Sequence, residues 1–411
     1  MTDRRSAFLT SYGFAHFGKS LLWHASELLF AFYLTEICHL GAAQMGGVLS
    51  LSLLASAICD AVTGQVLTTR MRATAAAVRL QVVGATLAAV SFTAFALVAL
   101  APPVWRLPGV VLALLAFRLV YSLYDLPQNA ILAFETVDDA QRSGLSALRV
   151  VLSGVANLVI AGSFIPLVGA GPAATQPWRF CTFAAVLSLV AMASGVCLSR
   201  VAATRSAAST PPPVREPLPR AVSTPWRLML ASLVISLCTS VFSRLEPYLA
   251  SYGLATQGDG ALLMISVSLG TLLSQPAWAA LVARTGLLRA QWMAAVMLAV
   301  GAVTLLLFAR HGTLGAIAGG FAYGAGFGGV LMILWACLAR ASVLTGDIIR
   351  QFGLFTFFSK VGLALSALAT GWAMSHFDYR SAAATLTAIM TLLPMAGAFV
   401  ACGLTTRAAS K

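Results

Sequence analysis

The sequence predicts an all-α membrane protein, with twelve transmembrane helices in two six-helix bundles. Three observations carry this expectation. Of the 411 residues 59% are hydrophobic and only 9% charged, and the mean hydropathy is +0.88. Ordinary soluble domains carry about 25% charged residues, so a chain this apolar could not cover its own surface in water. Apolar runs of about 20 residues, the length that crosses a hydrocarbon layer, recur twelve times. Lysine and arginine collect in alternate connecting loops.

The first six spans run over 12–37, 45–68, 78–100, 108–134, 145–169 and 179–200. The next six run over 227–252, 260–283, 290–309, 313–339, 351–374 and 382–405. Residues 1–200 therefore form an N-terminal bundle and 226–411 a C-terminal one. Between them, 201–225 is rich in Ser, Pro and Arg, with Pro211, Pro212 and Pro213 in a row, the composition of an exposed cytoplasmic linker. Six plus six spans joined in this way suggest two structurally repeated halves. The basic N-terminus is followed by an apolar segment too long for a cleavable leader and interrupted by Lys19 and Glu27, so it reads as the first span. With both termini placed in the cytoplasm, seventeen of the 26 Lys and Arg fall on that side. The outer loops hold only Arg106, Arg179, Arg310 and Arg380. This is the positive-inside pattern of a multi-pass protein, here of a bacterial inner membrane.

Several function classes are excluded. The net charge of +13 is spread through loops and forms no dense patch for nucleic acid. The seven cysteines lack metal-ligand spacing, so no metal is expected, and they read as small packing residues. The five histidines are scattered, no nucleotide-binding loop is present, and no segment is long enough for an ATPase domain. No enzymatic activity and no cofactor are expected. What remains is gradient-driven transport or a non-transporting membrane sensor.

Ionisable side chains inside the spans narrow the choice, because an Asp or Lys at a bilayer centre costs about 2.5–3.5 kcal/mol to insert and usually faces a partner or a wet cavity. Asp125 lies mid-span, two residues before Pro127, with Arg118 seven residues upstream on roughly the same helical face. Pro127 removes a backbone hydrogen bond, which membrane helices accept where neighbours or water satisfy the freed carbonyl. Lys19, Trp23 and Glu27 are spaced by four and stack along one face of the first span, with Trp23 a platform for a sugar ring; snorkelling of Lys19 and plain packing of Trp23 are the alternatives. Asp60 is the one carboxylate of the second span and can bind a proton, with Ser56 one turn earlier. A structural ion pair from Asp60 to Lys19 or Lys360 is compatible with that role. Arg149 is long enough to reach the first span or Asp125. Arg244 and Glu246, two apart, cannot share a helix face and suit a gate or charge pair, as does Arg118. The glycine run from Phe321 to Val330 reads as close helix packing rather than phosphate binding.

These segments resemble the glycoside–pentoside–hexuronide:cation symporters, the melibiose-carrier branch of the major facilitator superfamily. SYGFAHFGKS resembles that family's Y-G-x-G-x-x-G-K-D opening, SAICDAVTG its D-A-x-x-D-P-x-x-G motif, and YSLYDLP its fourth-span aspartate segment. QRSGLSALRVVLSGV resembles the arginine segment of the fifth span and GLFTFFSKVGLALSA the Lys-x-Gly segment of the eleventh. The resemblance implies the major facilitator fold, a solute site at Lys19, Asp125 and Arg149, and a cation site at Asp60 with Lys360 nearby. Ser20 and Ser56 stand where the family has aspartates, Ala61 replaces a proline, and LARASV (338–343) replaces an acidic motif. Loss of one cation-site carboxylate favours a proton over sodium.

The expectation is thus a symporter of a sugar, glycoside or similar small polar solute, functional as a monomer in the lipid bilayer. Lys19, Trp23, Glu27, Asp125 and Arg149 would bind the solute, and Asp60, Ser56 and Lys360 would couple it to a cation. The alternative is an exporter, or a carrier of an amphipathic or charged metabolite, lysolipids included.

Overall fold

The computed structural model describes residues 2–70, 74–135, 139–169, 172–205, 226–254, 256–345 and 348–409; most of the expected linker, 206–225, lies outside them. The described residues are helical, without a strand. In order they form α1 (Thr2–Leu28), α2 (Phe30–Phe32), α3 (Ala42–Arg70), α4 (Thr74–Leu97), α5 (Pro103–Glu135), α6 (Asp139–Gly162) and α7 (Gln176–Arg205). There follow α8 (Trp226–Tyr248), α9 (Gln257–Leu273), α10 (Gln275–Thr285), α11 (Leu287–Phe308), α12 (Thr313–Thr345), α13 (Ile348–Met374) and α14 (Ala383–Ala409).

Ten of these helices, with their short terminal turns, are long and apolar enough to cross a membrane, and α9 with α10 makes an eleventh span bent by 41°. The bend differs from the single helix expected over 260–283. Its cause is Pro276, the second residue of α10, whose ring nitrogen cannot continue the backbone hydrogen-bond ladder past Ser274. The first expected span is also helical, as α1, α2 and a π-helical turn at Tyr33–Ile37. Lys19, Glu27 and Glu36 make it more polar than the rest. Two more π-helical turns, Ile165–Gly169 and Leu249–Gly253, extend α6 and α8. Pro247 immediately precedes the turn Tyr248 caps, where its missing N–H loosens the helix.

The chain divides into two compact units. The first comprises Met1–Ser26, Ile58–Ile160 and Gly171–Glu216, and the second Glu27–Ala57, Ala161–Ala170 and Pro217–Lys411. Each unit thus draws on α1, α3 and α6. In the first unit, α4 lies directly on α5, because a side chain at Gly84 would run into the backbone of Leu123 and Tyr124. One apolar cluster there gathers Phe8 and Tyr12 of α1, Ala77 and Val78 of α4, Ile131 of α5 and Leu198 of α7.

In the second unit the glycine run works as a packing surface. A Cβ at Gly324 would stand 2.0 Å from the Val267 carbonyl oxygen of α9, and one at Gly326 would stand 2.1 Å from the Leu298 nitrogen of α11. Two faces of α12 therefore touch backbone on both neighbours, the small-residue packing that holds helices together where lipid removes the hydrophobic drive. Gly46 of α3 and Gly371 of α13 meet in the same way. Substituting Gly324→Ala should overpack this contact, costing about 1–3 kcal/mol and lowering the thermal midpoint of the purified protein. Gly47→Ala, at a helical position with nothing within 4 Å, should leave it unchanged or raise it. Equal behaviour of the two variants would mean that backbone approach is not what holds α12.

Candidate functional site

Within the first unit, α1 presents Tyr12, His16, Lys19 and Trp23 at spacings of four, three and four, which is one helical face. From α5 come Arg118, Tyr121, Ser122, Asp125 and Asn129, also one face, and α6 adds Arg149 and Ser153. Lys19 Nζ donates to Asp125 Oδ1 at 2.5 Å. The other carboxylate oxygen, Oδ2, accepts from Asn129 Nδ2 at 3.2 Å, and Asn129 Oδ1 accepts from Arg149 Nη2 at 2.5 Å. Lys19, Asp125, Asn129 and Arg149 form one continuous charged chain across three helices. Within the ion pair the carboxylate is the more accessible partner: the Lys19 side chain is 6% exposed and that of Asp125 30%. Asp125, Asn129 and Arg149 are all partly exposed, whereas Lys19 is buried.

Aromatic groups frame this chain. The Trp23 ring lies 5.6 Å from Tyr121, and the fully buried Arg118 guanidinium sits 5.1 Å above the Trp23 ring, a cation–π contact. Tyr121 Oη donates to the Lys19 carbonyl at 3.2 Å and Tyr12 Oη to the Gln128 carbonyl at 3.2 Å. His24 Nε2 and Ser153 Oγ are 3.0 Å apart. Asp60, on α3, accepts a short hydrogen bond from Ser122 Oγ of α5. Three cations (Lys19, Arg118, Arg149) stand here with two carboxylates (Asp60, Asp125).

The second unit holds the remaining expected residues. Glu27 Oε2 accepts from Arg244 Nη2 at 3.3 Å, with the side chains 15% and 3% exposed. Arg244 Nη1 also donates to Ser366 Oγ of α13 at 3.2 Å. Lys360 Nζ donates to Ser56 Oγ at 2.9 Å. Glu246 is buried next in line on α8. The structure thus brings together Lys19, Trp23, Asp125, Arg149 and Arg118 in one cluster, joins Asp60 to that cluster's α5, and pairs Glu27 with Arg244 and Ser56 with Lys360.

Four contributors went unseen in the sequence reading. Asn129 links Asp125 to Arg149, and its only sequence signal is its place four residues after Asp125. Tyr121 and Ser122 carry no charge and gave no signal. Glu36 lies inside the first span and takes three donors at once: Tyr252 Oη at 2.5 Å, Tyr379 Oη at 2.6 Å and Arg380 Nη2 at 2.9 Å. Burial and the Glu36 carboxylate push the Tyr379 hydroxyl up to about 12. The same carboxylate raises the Arg380 guanidinium, so both donors keep their protons. Thr35, beside Glu36, shares a 2.7 Å hydrogen bond with Tyr248. Among the described residues, no group of three or more His, Cys, Asp and Glu could hold a metal ion.

Comparisons with known proteins agree with this architecture. No curated protein matches the sequence. Solved structures do match in fold. The nucleoside transporter NupG is 14% identical, with 97% of this chain and 98% of that one covered and a TM-score of 0.68. A mutant form of the peptide transporter POT is 11% identical, with coverage of 98% and 94% and a TM-score of 0.70. A bacterial homologue of the iron transporter ferroportin, in its inward-facing state, is 15% identical over 100% of both chains, with a TM-score of 0.65. The fold is that of the major facilitators, and the chain is a multi-pass secondary transporter rather than an enzyme. The model of the family described as MFS/sugar transport protein matches residues 11–407, and the chain belongs to that family.

Proposed function

We propose that this transporter is a proton-coupled symporter of a sugar, glycoside or similar small polar solute, in the melibiose-carrier-like branch of its family. The observation that carries the reading is the charged chain Lys19–Asp125–Asn129–Arg149. It offers a solute alternating acceptors and donors, which is what vicinal hydroxyls require. Trp23, half-buried and backed by the buried Tyr121, supplies flat apolar surface for a ring beside it. The nucleoside named for NupG is also a flat group joined to a sugar.

Coupling falls to Asp60. Ser122, its donor, is three residues before Asp125 on α5, so protonation of Asp60 alters a hydrogen bond one turn from the solute ligand. Lys360 holds Ser56, one turn before Asp60 along α3. Asp60 is the one carboxylate of its span, which suits a proton better than sodium, since a hard cation takes several oxygen ligands. Alternating access between repeated halves provides the cycle. By the loop charges, the Glu36 end of the first span faces outward, and Glu36 with Tyr252, Tyr379 and Arg380 forms a latch there. A second reading rests on the excess of cations around Asp125, with Arg118 fully buried. It favours an anionic or amphipathic metabolite, carried inward or outward.

Solute-driven alkalinisation should be abolished in Asp60→Asn while solute exchange persists, and unchanged coupled uptake would remove Asp60 from the coupling role. A thermal-shift screen of sugars, glycosides, nucleosides and lysolipids should find a compound that stabilises the wild type. Asp125→Asn should weaken that shift at least tenfold in midpoint concentration, and an undiminished shift would place the solute elsewhere. Uptake in right-side-out and inverted vesicles separates import from export.

The latch has its own reporter in the buried Cys38. With the other six cysteines replaced, Glu36→Gln should speed labelling of Cys38 by an impermeant maleimide about fivefold, the effect of losing ~1 kcal/mol of hydrogen bonding. An unaltered rate would show that Glu36 does not hold this end closed.

A further inference from the structure

Glu246 of α8 takes no part in the clusters described above, yet it is a carboxylic acid placed where an ion is hard to keep. Its side chain is 4% exposed, and Oε1 is sealed from solvent with no hydrogen-bond partner among the described residues. Arg244, two residues earlier, points to Glu27 and Ser366 instead. Among the described residues, the cation of α12 is Arg340, seventeen residues beyond Tyr323 and about 25 Å along that helix. The intramembrane cation of α13 is Lys360, which donates to Ser56. Between Ala383 and Thr406, α14 has no charged residue. The Asp259 carboxylate of α9 is taken up by Thr256 and Thr313.

Tyr323 of α12 packs against the same face of α8. Phe242, one turn before Glu246 on α8, stacks on the Tyr323 ring at 3.8 Å and 15°. Glu246 therefore lies one turn along the same face of α8 from that tyrosine's stacking partner. Tyr323 Oη is likewise buried without a partner among the described residues. An ionised carboxylate here would be uncompensated, whereas the neutral acid is readily held and can donate. Pro247 follows directly and leaves the Ser243 carbonyl without its helical N–H, a further polar atom in the same turn.

We infer that Glu246 and Tyr323 form a proton-binding site in the second unit, separate from Asp60, with Glu246 protonated in this conformation. The inference stands apart from the identity of the solute and from the role of Asp60. A transporter with this site carries a proton on its C-terminal half, released when rearrangement of α8 against α12 brings water or a cation to Glu246.

The test needs no solute. Infrared difference spectra of the purified full chain, titrated from neutral to alkaline pH, should show the carbonyl band of a neutral buried carboxylic acid that bleaches reversibly. Glu246→Gln should lose that band and Asp60→Asn should keep it. Tyr323→Phe should retain the band but shift its frequency, and this variant decides the matter if Glu246→Gln does not fold. An identical band in wild type and Glu246→Gln, or one unmoved in Tyr323→Phe, overturns the inference, as does a band that never bleaches. Loss of coupling in Asp60→Asn would not bear on this result, so the two readings fail separately.

Discussion

A charge set into an apolar interior needs an opposite charge or a dense set of hydrogen bonds, and the Lys19–Asp125 pair is where this chain meets that demand most directly. Removing water from either group alone is strongly unfavourable. Together, with Asn129 and Arg149 extending the chain, they bring α1, α5 and α6 to one polar line. The constraint is also what makes the cluster suitable for a solute. A partly exposed acceptor held by a buried donor can exchange one partner for another at small net change, which is how selective polar sites bind and release.

Close backbone approach supports that arrangement. Gly84 lets α4 lie on α5, the helix carrying Arg118, Ser122 and Asp125, and the glycines of α12 do the same between α9 and α11. Rigid contacts of this kind suit elements that must move as bodies. The π-helical turns at Tyr33–Ile37, Ile165–Gly169 and Leu249–Gly253 provide the irregular backbone where helices end. Glu36 and Tyr252 belong to two of them and are joined by a hydrogen bond.

The fold and the identity of most polar residues were legible in the sequence, because intramembrane charge stands out against an apolar background. Lys19, Asp60, Asp125, Arg149 and Lys360 announce themselves in this way. Who pairs with whom was not legible. Lys19 and Asp125 are 106 residues apart and Glu27 and Arg244 are 217 apart, and spacing along single helices carries no information on which faces meet. Asn129, Tyr121 and Ser122 are neutral and blend into any helix. Glu36 was hidden differently: it ends a span, where a carboxylate is cheap to solvate, and only the fold shows that three donors converge on it. The bend between α9 and α10 had a visible cause in Pro276, but proline inside a span bends some helices and leaves others continuous, as Pro108 and Pro127 do within α5.

The two units share a feature that neither sequence motifs nor pairing alone would isolate. Each has a helical carboxyl one or two residues before a proline: Asp125 before Pro127 within α5, and Glu246 before Pro247 near the end of α8. In both places the proline removes one N–H and leaves a carbonyl free, so the carboxyl sits in a locally polar turn. The environments then diverge. Asp125 has a cation at 2.5 Å and is accessible, which supports its place in the proposed solute site. Glu246 has no hydrogen-bond partner for Oε1 among the described residues and shares a helix face with Phe242, which stacks on Tyr323; this supports the proposed proton site. On the two proposals the same backbone device would serve an anion in the first unit and an acid in the second, with the partner deciding which.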